Sequence, residues 1–337
     1  MKILITGGCG YIGSHTIINL INNGFEVVSI DNFSNSYASV LDGIESTTGI
    51  KVKNYAVDLC DLKATQAIFT QENEIGGVIH FAALKYVDES VQEPLKYYTN
   101  NLVSLSNVLK CCKEFNILNF VFSSSCSVYG NAENLPVDEN CPLAKAESPY
   151  AQTKVIGEQI VQDYVAAYGG KASLLRYFNP AGAHPSGLIG EQAKRNGPNL
   201  VPRITGTLLG LHDTFIIAGN DYPTRDGTCI RDYIHVCDIA HAHTLALTWL
   251  IEQGDSNLCE VFNLGSGEGV SVLELVKAFE EATSLKINYR TGDRRPGDVI
   301  AIYADNKKAK SVLKWRVKHS LKEMMRSAWE WEKKIHQ

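Results

Sequence analysis

The first 31 residues constrain this chain more than any other stretch. Lys2–Thr6 is short and mostly apolar, which suits a buried strand. It breaks into Gly7-Gly8-Cys9-Gly10-Tyr11-Ile12-Gly13, and Ser14–Asn23 follows with its apolar residues at helical spacing. A second apolar run, Val27–Ile30, ends on Asp31. Strand, glycine turn, helix, strand and terminal carboxylate, in that order, predict a dinucleotide-binding unit. Gly7 and Gly10 permit a tight turn and let bare backbone approach a pyrophosphate, whose charge faces the amides at the helix start around Tyr11 and Ile12. Gly13 is expected to let the helix lie close on the sheet. Asp31 can accept hydrogen bonds from the adenosine ribose and would repel a 2′-phosphate. Asn32, Phe33, Ser34, Asn35 and Ser36 supply no cation to offset that repulsion, so NAD is expected over NADP, with Asn32, Asn35 and Ser36 as further cofactor contacts.

A chain of 337 residues is long for one compact core and suggests two lobes. Its net charge of −5 argues against nucleic acid or an anionic membrane as partner. No apolar run approaches the roughly 20 residues of a membrane helix. Lys2 is followed at once by strand-like sequence, so no secretory leader is expected. Nine cysteines at irregular spacing, without a Cys-x-x-Cys pair, suit reduced thiols in the cytoplasm rather than disulfides or zinc. His241 and His243 lie two apart on an expected helix, point in different directions and read as structural, so no metal site is expected.

Beyond Asp31 the chain alternates. Strand-like Lys51–Val57 leads to Asp58-Leu59, and Leu62–Gln71 is helical. Gly77–Phe81 is a strand followed by Ala82. A long helix is expected from about Leu95 to Phe115, then a strand at Asn119–Ser123, a helix at Pro149–Tyr168 and a strand at Ala172–Tyr177. About six strands interleaved with helices imply an α/β, Rossmann-type doubly wound parallel sheet, with ligands beyond the carboxyl ends of its strands. Asp58, Phe81-Ala82, Ser123–Ser125 and Asn179 all fall at such ends. We read residues 1–178 as the dinucleotide-binding domain, with a return segment near 232–255. Residues 179–337 form mainly a smaller, mixed α/β substrate-binding lobe. In that part, helices are expected around Leu200–Gly210, within Asp232–Glu252, from a Ser271–Glu274 capping box through Ala282, and at Leu321–Ile335.

Tyr150 and Lys154 stand four apart at the start of a helix announced by Ser148-Pro149, and so share one face. A free tyrosine, with a pKa near 10, is a poor base at neutral pH. An ammonium about 5 Å away at an effective dielectric near 20 favours the phenolate by roughly 3 kcal/mol. A bound nicotinamide cation acts in the same direction and brings the phenol toward the range where a general base works. Ser125 can hydrogen-bond the same hydroxyl. Tyr-x-x-x-Lys alone is a common surface pair, but with the amino-terminal turn and the Ser-Ser-Ser strand end it matches the short-chain dehydrogenase/reductase pattern. The turn itself is spaced Gly-x-x-Gly-x-x-Gly, which resembles the extended branch of that superfamily.

Longer blocks narrow the resemblance. Thr6–Thr16, His80–Lys85, Ser123–Gly130, Arg176–Gly187, Gly219–Thr224 and Arg231–Val236 resemble the UDP-glucose 4-epimerases over nearly the whole chain. That resemblance implies an isomerase acting on a UDP-hexose, mainly UDP-glucose and UDP-galactose. NAD stays tightly bound and is regenerated each turnover. Tyr150 is the general base and acid, beside Ser125 and Lys154. The resemblance places Asp58, Leu59, Phe81, Ala82, Lys85, Asn100 and Ser123 on the cofactor, together with Tyr150 and Lys154, with Tyr177 near the nicotinamide. Asn179, Asn199, Leu200, Arg231, Tyr233, Arg295, Asp298 and Ile302 fall to the substrate, together with Ser125 and Tyr150. The arginines suit a diphosphate. A homodimer is also implied, with the helices at Leu95–Phe115 and Pro149–Tyr168 pairing across a symmetry axis.

Two positions depart from the family pattern. Ala83 stands where glycine is expected. In Gly297–Tyr303, Ile302 replaces a residue whose bulk decides whether an N-acetyl group fits, which leaves UDP-N-acetylhexosamines as secondary substrates. Two other readings are weighed against epimerisation. A nucleotide-sugar 4,6-dehydratase needs an acid and base beside the active-site serine, where Ser124-Ser125-Cys126 has no carboxylate. A non-catalytic NAD-sensing module has no use for Tyr150 and Lys154.

Overall fold

The computed structural model describes residues 1–192, 199–254, 257–295 and 298–337. Gly297 of the Gly297–Tyr303 motif and residue 255 of the expected return segment lie outside them. The amino-terminal part runs β1 (Lys2–Thr6), α1 (Tyr11–Asn22), β2 (Glu26–Ile30), α2 (Ser39–Thr48), β3 (Lys53–Tyr55), α3 (Leu62–Gln71) and β4 (Ile75–His80). Short helices α4 (Val87–Gln92) and α5 (Pro94–Tyr98) lead through a π-helical turn at Thr99–Val103 into α6 (Ser104–Glu114). Next come β5 (Asn119–Ser125), α7 (Pro149–Tyr168) and β6 (Lys171–Tyr177).

The second half contributes β7 (Asn179–Ala181), α8 (Leu200–Leu208), β8 (Phe215–Ala218), β9 (Ile230–Arg231), β10 (Tyr233–His235) and α9 (Val236–Glu252). It continues with β11 (Leu258–Leu264), β12 (Val270–Ser271), α10 (Val272–Thr283), β13 (Tyr289–Gly292), β14 (Ala301–Ile302), α11 (Lys307–Val312) and α12 (Leu321–Ile335).

Seven strands form one parallel sheet in the order β11-β6-β5-β4-β1-β2-β3. The order reverses between β1 and β4, which opens a crevice beyond their carboxyl ends. Apolar clusters cover both faces. One joins α1, α9 and the strands through Ile17, Ile239, Leu247 and Phe262. The other sets α3, α6 and α7 on the opposite face through Phe69, Val108 and Val161. A separate cluster packs α8, α10 and α12 together through Ile204, Phe279 and Met325.

Three expectations need correction. There are seven sheet strands rather than about six, because β11 follows α9 back to the sheet and pairs with β6 along Leu258–Leu264. The strand expected at Lys51–Val57 shrinks to Lys53–Tyr55. The Tyr55 carbonyl accepts from both Asp31 and Val57 amides, which turns the chain toward Asp58. The helix expected unbroken from Leu95 to Phe115 carries the π turn, a distortion common at functional positions. It makes room for Asn100 and Asn101.

Candidate functional site

A cleft of about 570 Å³ opens at the switch point, and every candidate residue named from the sequence lines it. The glycine turn forms one end. Gly7 has φ +69°, and a Cβ there would fall 2.8 Å from the Ala82 amide nitrogen, so no larger residue fits between β1 and the end of β4. At Gly13 a Cβ would fall 2.3 Å from the Gly7 carbonyl oxygen. Gly13 therefore seats the helix on the turn rather than on the sheet, as expected from sequence. It is Gly8 that allows the close approach to the neighbouring strand, at Ser29. Asp31 accepts from the Cys9 amide at 3.0 Å, the Phe33 amide at 2.9 Å and the Ser36 hydroxyl at 2.8 Å. Those bonds hold its carboxylate at the end of β2, beside Asn32 and Asn35.

The residues expected to handle the proton sit on α7 and the end of β5. Ser148 caps α7 by accepting from the Ala151 amide at 3.2 Å, and Pro149 occupies its first turn. Lys154 is buried and donates to the Ser123 carbonyl at 2.6 Å, with its nitrogen 6.0 Å from the Tyr150 ring centre. Burial lowers its pKa to about 8, against the opposing charge of Glu158. The Tyr150 phenol is raised by burial, while the Ser125 hydrogen bond and the Lys85 charge pull it down. The expected depression of Tyr150 by Lys154 is therefore not what this chain shows by itself. The ammonium is committed to a carbonyl, and desolvation outweighs the cations.

Of the residues expected on the cofactor, Asn100 donates to Asn101 at 2.9 Å. Asn101 accepts from the Leu84 amide at 2.8 Å and donates to the Leu84 carbonyl and the Thr153 hydroxyl, both at 3.0 Å. The π turn thus ties the segment after β4 to α7. Behind Phe81 and Tyr177 lies the buried ring of His243, at 4.6 and 5.4 Å between ring centres. His243 also engages the Ile239 carbonyl, in keeping with a structural role.

The opposite wall carries Arg203, Arg231 and Arg295. Among the described residues only Arg231 of the three has an ion pair, to Asp298 at 3.6 Å. Burial and the charge of Arg295 both disfavour the Arg203 cation. Asn179 keeps a buried side-chain oxygen without a partner. Guanidiniums without an ion pair among the described residues, lining the same cleft as an unsatisfied amide, are what an anionic, hydroxyl-bearing ligand would complete. Glu191 bridges the walls, accepting from Lys85 at 3.0 Å and from the Asn199 side chain at 2.5 Å. Tyr233 and Ile302 are buried in the same wall, and Ile302 packs with Val128, Tyr129 and Phe178.

The profile of the family described as GDP-mannose 4,6 dehydratase matches residues 4–328. The UDP-glucose 4-epimerase of Bacillus subtilis is 47% identical over 333 residues, which span 98% of this chain and 97% of that one. The chain belongs to the UDP-glucose 4-epimerase family. A crystal structure of a family member from Bifidobacterium longum, in complex with NAD+ and UDP, matches with a TM-score of 0.94 and 43% identity. It is covered over 98% of its length by 99% of this chain. Another, from Stenotrophomonas maltophila with bound NAD and formylated UDP-arabinopyranose, matches with a TM-score of 0.96 and 41% identity, over 99% of its length and all of this chain.

The epimerase cleft also contains residues that sequence reasoning passed over. Arg203 and Glu191 carried no local signal. Asn101 was signalled by a pair of adjacent amides inside an apolar helix. Among the described residues no cluster of His, Cys, Asp or Glu can hold a metal, the nine cysteines are free thiols, and no helix is long and apolar enough to cross a membrane.

Proposed function

We infer that this chain interconverts UDP-glucose and UDP-galactose by NAD-dependent epimerisation at C4, through a transient 4-keto sugar. The observation that carries the reading is that Tyr150, Ser125 and Lys154 line the same cleft as the glycine turn and the arginine wall. The turn, with Tyr11 and Ile12, takes the pyrophosphate of NAD, and Asp31 takes the adenosine ribose. Arg231 and Arg295 take the substrate diphosphate. NAD, when bound, accepts the C4 hydride and returns it to the opposite face of the sugar. Tyr150 removes the 4-hydroxyl proton during oxidation and gives it back on reduction, with Ser125 hydrogen-bonded to it and Lys154 supplying positive charge. The cofactor ends each turnover as it began, so it stays bound.

The test is to incubate the purified protein with UDP-galactose, add no NAD, and follow the sugar by proton NMR. Accumulation of UDP-glucose to a stable mixture is expected. No product, even with NAD supplied, would refute the substrate assignment. A 6-deoxy signal would favour a dehydratase, for which the positions after Ser125 offer only Cys126 and Ser127.

Ile302 sets the sugar range in this reading. Its bulk makes UDP-N-acetylhexosamines slower secondary substrates, and Ile302→Ala is expected to raise their rate relative to UDP-galactose by about tenfold, the value of one or two methylenes in an apolar pocket. Equal wild-type rates on both sugar classes would overturn this ranking. The enzyme is also read as a cytoplasmic homodimer. Leu95, at the start of the helical stretch expected to pair, is 78% exposed in the single chain, and Val91 on α4 just before it is 60% exposed, which supports a covered face there.

A further inference from the structure

Tyr150, Lys154 and Glu158 follow one another at four-residue steps along α7 and so share a face. Only the first two have been given a chemical role. Glu158 is almost fully buried, and every bond it makes goes to the sheet. One carboxylate oxygen accepts from the Ser124 hydroxyl at 2.5 Å and from Arg176 Nε at 2.8 Å, while the other accepts from Arg176 Nη2 at 2.6 Å. Arg176 Nη1 continues the network to the Tyr129 hydroxyl at 2.9 Å, which donates to Asn263 at 2.7 Å. Strands β5, β6 and β11 are thereby fastened to one point on α7.

The consequence lies at the end of β5. Ser123, Ser124 and Ser125 are consecutive, and each faces one residue of that helix face. The Ser123 carbonyl accepts from Lys154, the Ser124 hydroxyl donates to Glu158, and the Ser125 hydroxyl lies where it favours ionisation of the Tyr150 phenol. The middle bond involves no group that touches the substrate, yet it sits between the two that position the reacting ones. We propose that Glu158 is a positioning residue for proton transfer, locking the Ser123–Ser125 strand end to α7 and so fixing the surroundings of the Lys154 ammonium. Removing one partner of such a buried, bidentate pair leaves an uncompensated charge, so its geometry is held tightly. The charged and titratable groups around Lys154 are Tyr150 and Glu158 on α7, Arg176 on β6, whose guanidinium pairs with Glu158, and His80 on β4, which burial keeps neutral with a pKa of about 3.

The proposal rests on the reading of Tyr150 and Lys154 as the proton-handling pair, and its test separates the two. Wild-type turnover of UDP-galactose tests that reading. For Glu158, the NAD-loaded Glu158→Gln protein is labelled at lysine, and the Lys154 side chain is titrated by NMR, which gives an answer whether or not the protein turns anything over. Lys154 is expected to lose its proton at lower pH in the variant than in the wild type. Ser124→Ala removes only the strand tie. It is expected to lower kcat roughly ten- to a hundredfold, the cost of slight misplacement of reacting groups, with KM within about twofold and melting temperature held. An unshifted Lys154 titration overturns the proposal. So does a Ser124→Ala enzyme with wild-type kcat, or one whose loss of kcat is matched by a rise in KM and a fall in melting temperature. If Glu158→Gln does not fold, Ser124→Ala decides alone.

Discussion

At the scale of single residues, the cleft holds its chemistry in groups that burial pushes away from their working ionisation state. Tyr150 is raised and Lys154 is lowered, each chiefly by desolvation. A neutral phenol beside a barely held ammonium becomes an effective base only when positive charge is added nearby, which ties proton removal to the presence of oxidised cofactor. Tyr150→Phe removes the proton acceptor and keeps the ring. Turnover is expected to fall about 10²- to 10⁴-fold, the usual worth of a positioned acid–base group, with NAD content unchanged in the purified protein. A variant that loses NAD in parallel would mark Tyr150 as a binding residue instead. Most of these residue types were legible from spacing. Their states were not, because desolvation depends on what the rest of the fold packs around them.

At the scale of elements, the amino-terminal turn works because three pieces of backbone meet without side chains between them. Gly13→Ala puts a methyl group 2.3 Å from the Gly7 carbonyl, and neither backbone segment can yield without moving β1 or α1. The variant is expected to lose about 1–3 kcal/mol of stability and to purify with much less NAD, read by thermal unfolding and by the nucleotide released on denaturation. A variant of wild-type stability that keeps its NAD would show the turn to be more compliant than this packing allows. Elements with strong local signals, such as α3, α7 and α12, were readable to the residue. Ser148-Pro149 announced α7, and the structure shows what fixes the other two starts: the Asp61 cap of α3 and the Ser320–Glu323 capping box of α12. Helix α2 and, apart from β3, the two- and three-residue strands went unread. Such short pieces take their conformation from neighbours: β9 exists only between β12 and β14, and Asp232 secures the loop and strand around it through the Ser266, Gly267 and Ala304 amides.

At the scale of the whole molecule, folding buries histidines that must stay uncharged. Burial lowers His15 and His80 to about 3, and His235 and His243 to about 4, from an ordinary 6.5. The unfolded chain then binds more protons than the folded one below about pH 6.5, so stability present above that pH is lost as the pH falls toward 4. His319, raised by its hydrogen bond to Asp238, works the other way and loses its contribution as the pH rises through its folded value. The urea midpoint is expected to drop steadily between pH 7 and pH 5, and a flat midpoint would show that these rings find water. The exposed apolar face makes a second prediction. The wild type is expected to sediment as a dimer and Leu95→Glu as a monomer; a wild-type monomer would remove the proposed interface. The sequence by itself determined the dinucleotide unit, the Tyr150–Lys154 pair and the alternation that makes a parallel sheet, because glycine geometry, helical periodicity and capping act over a few residues. Only the tertiary structure decided that β11 closes the sheet, that Arg203 and Glu191 face the cleft, and that Glu158 grips Ser124 and Arg176. Those contacts join residues far apart in the chain, and their partners are chosen by packing rather than by spacing.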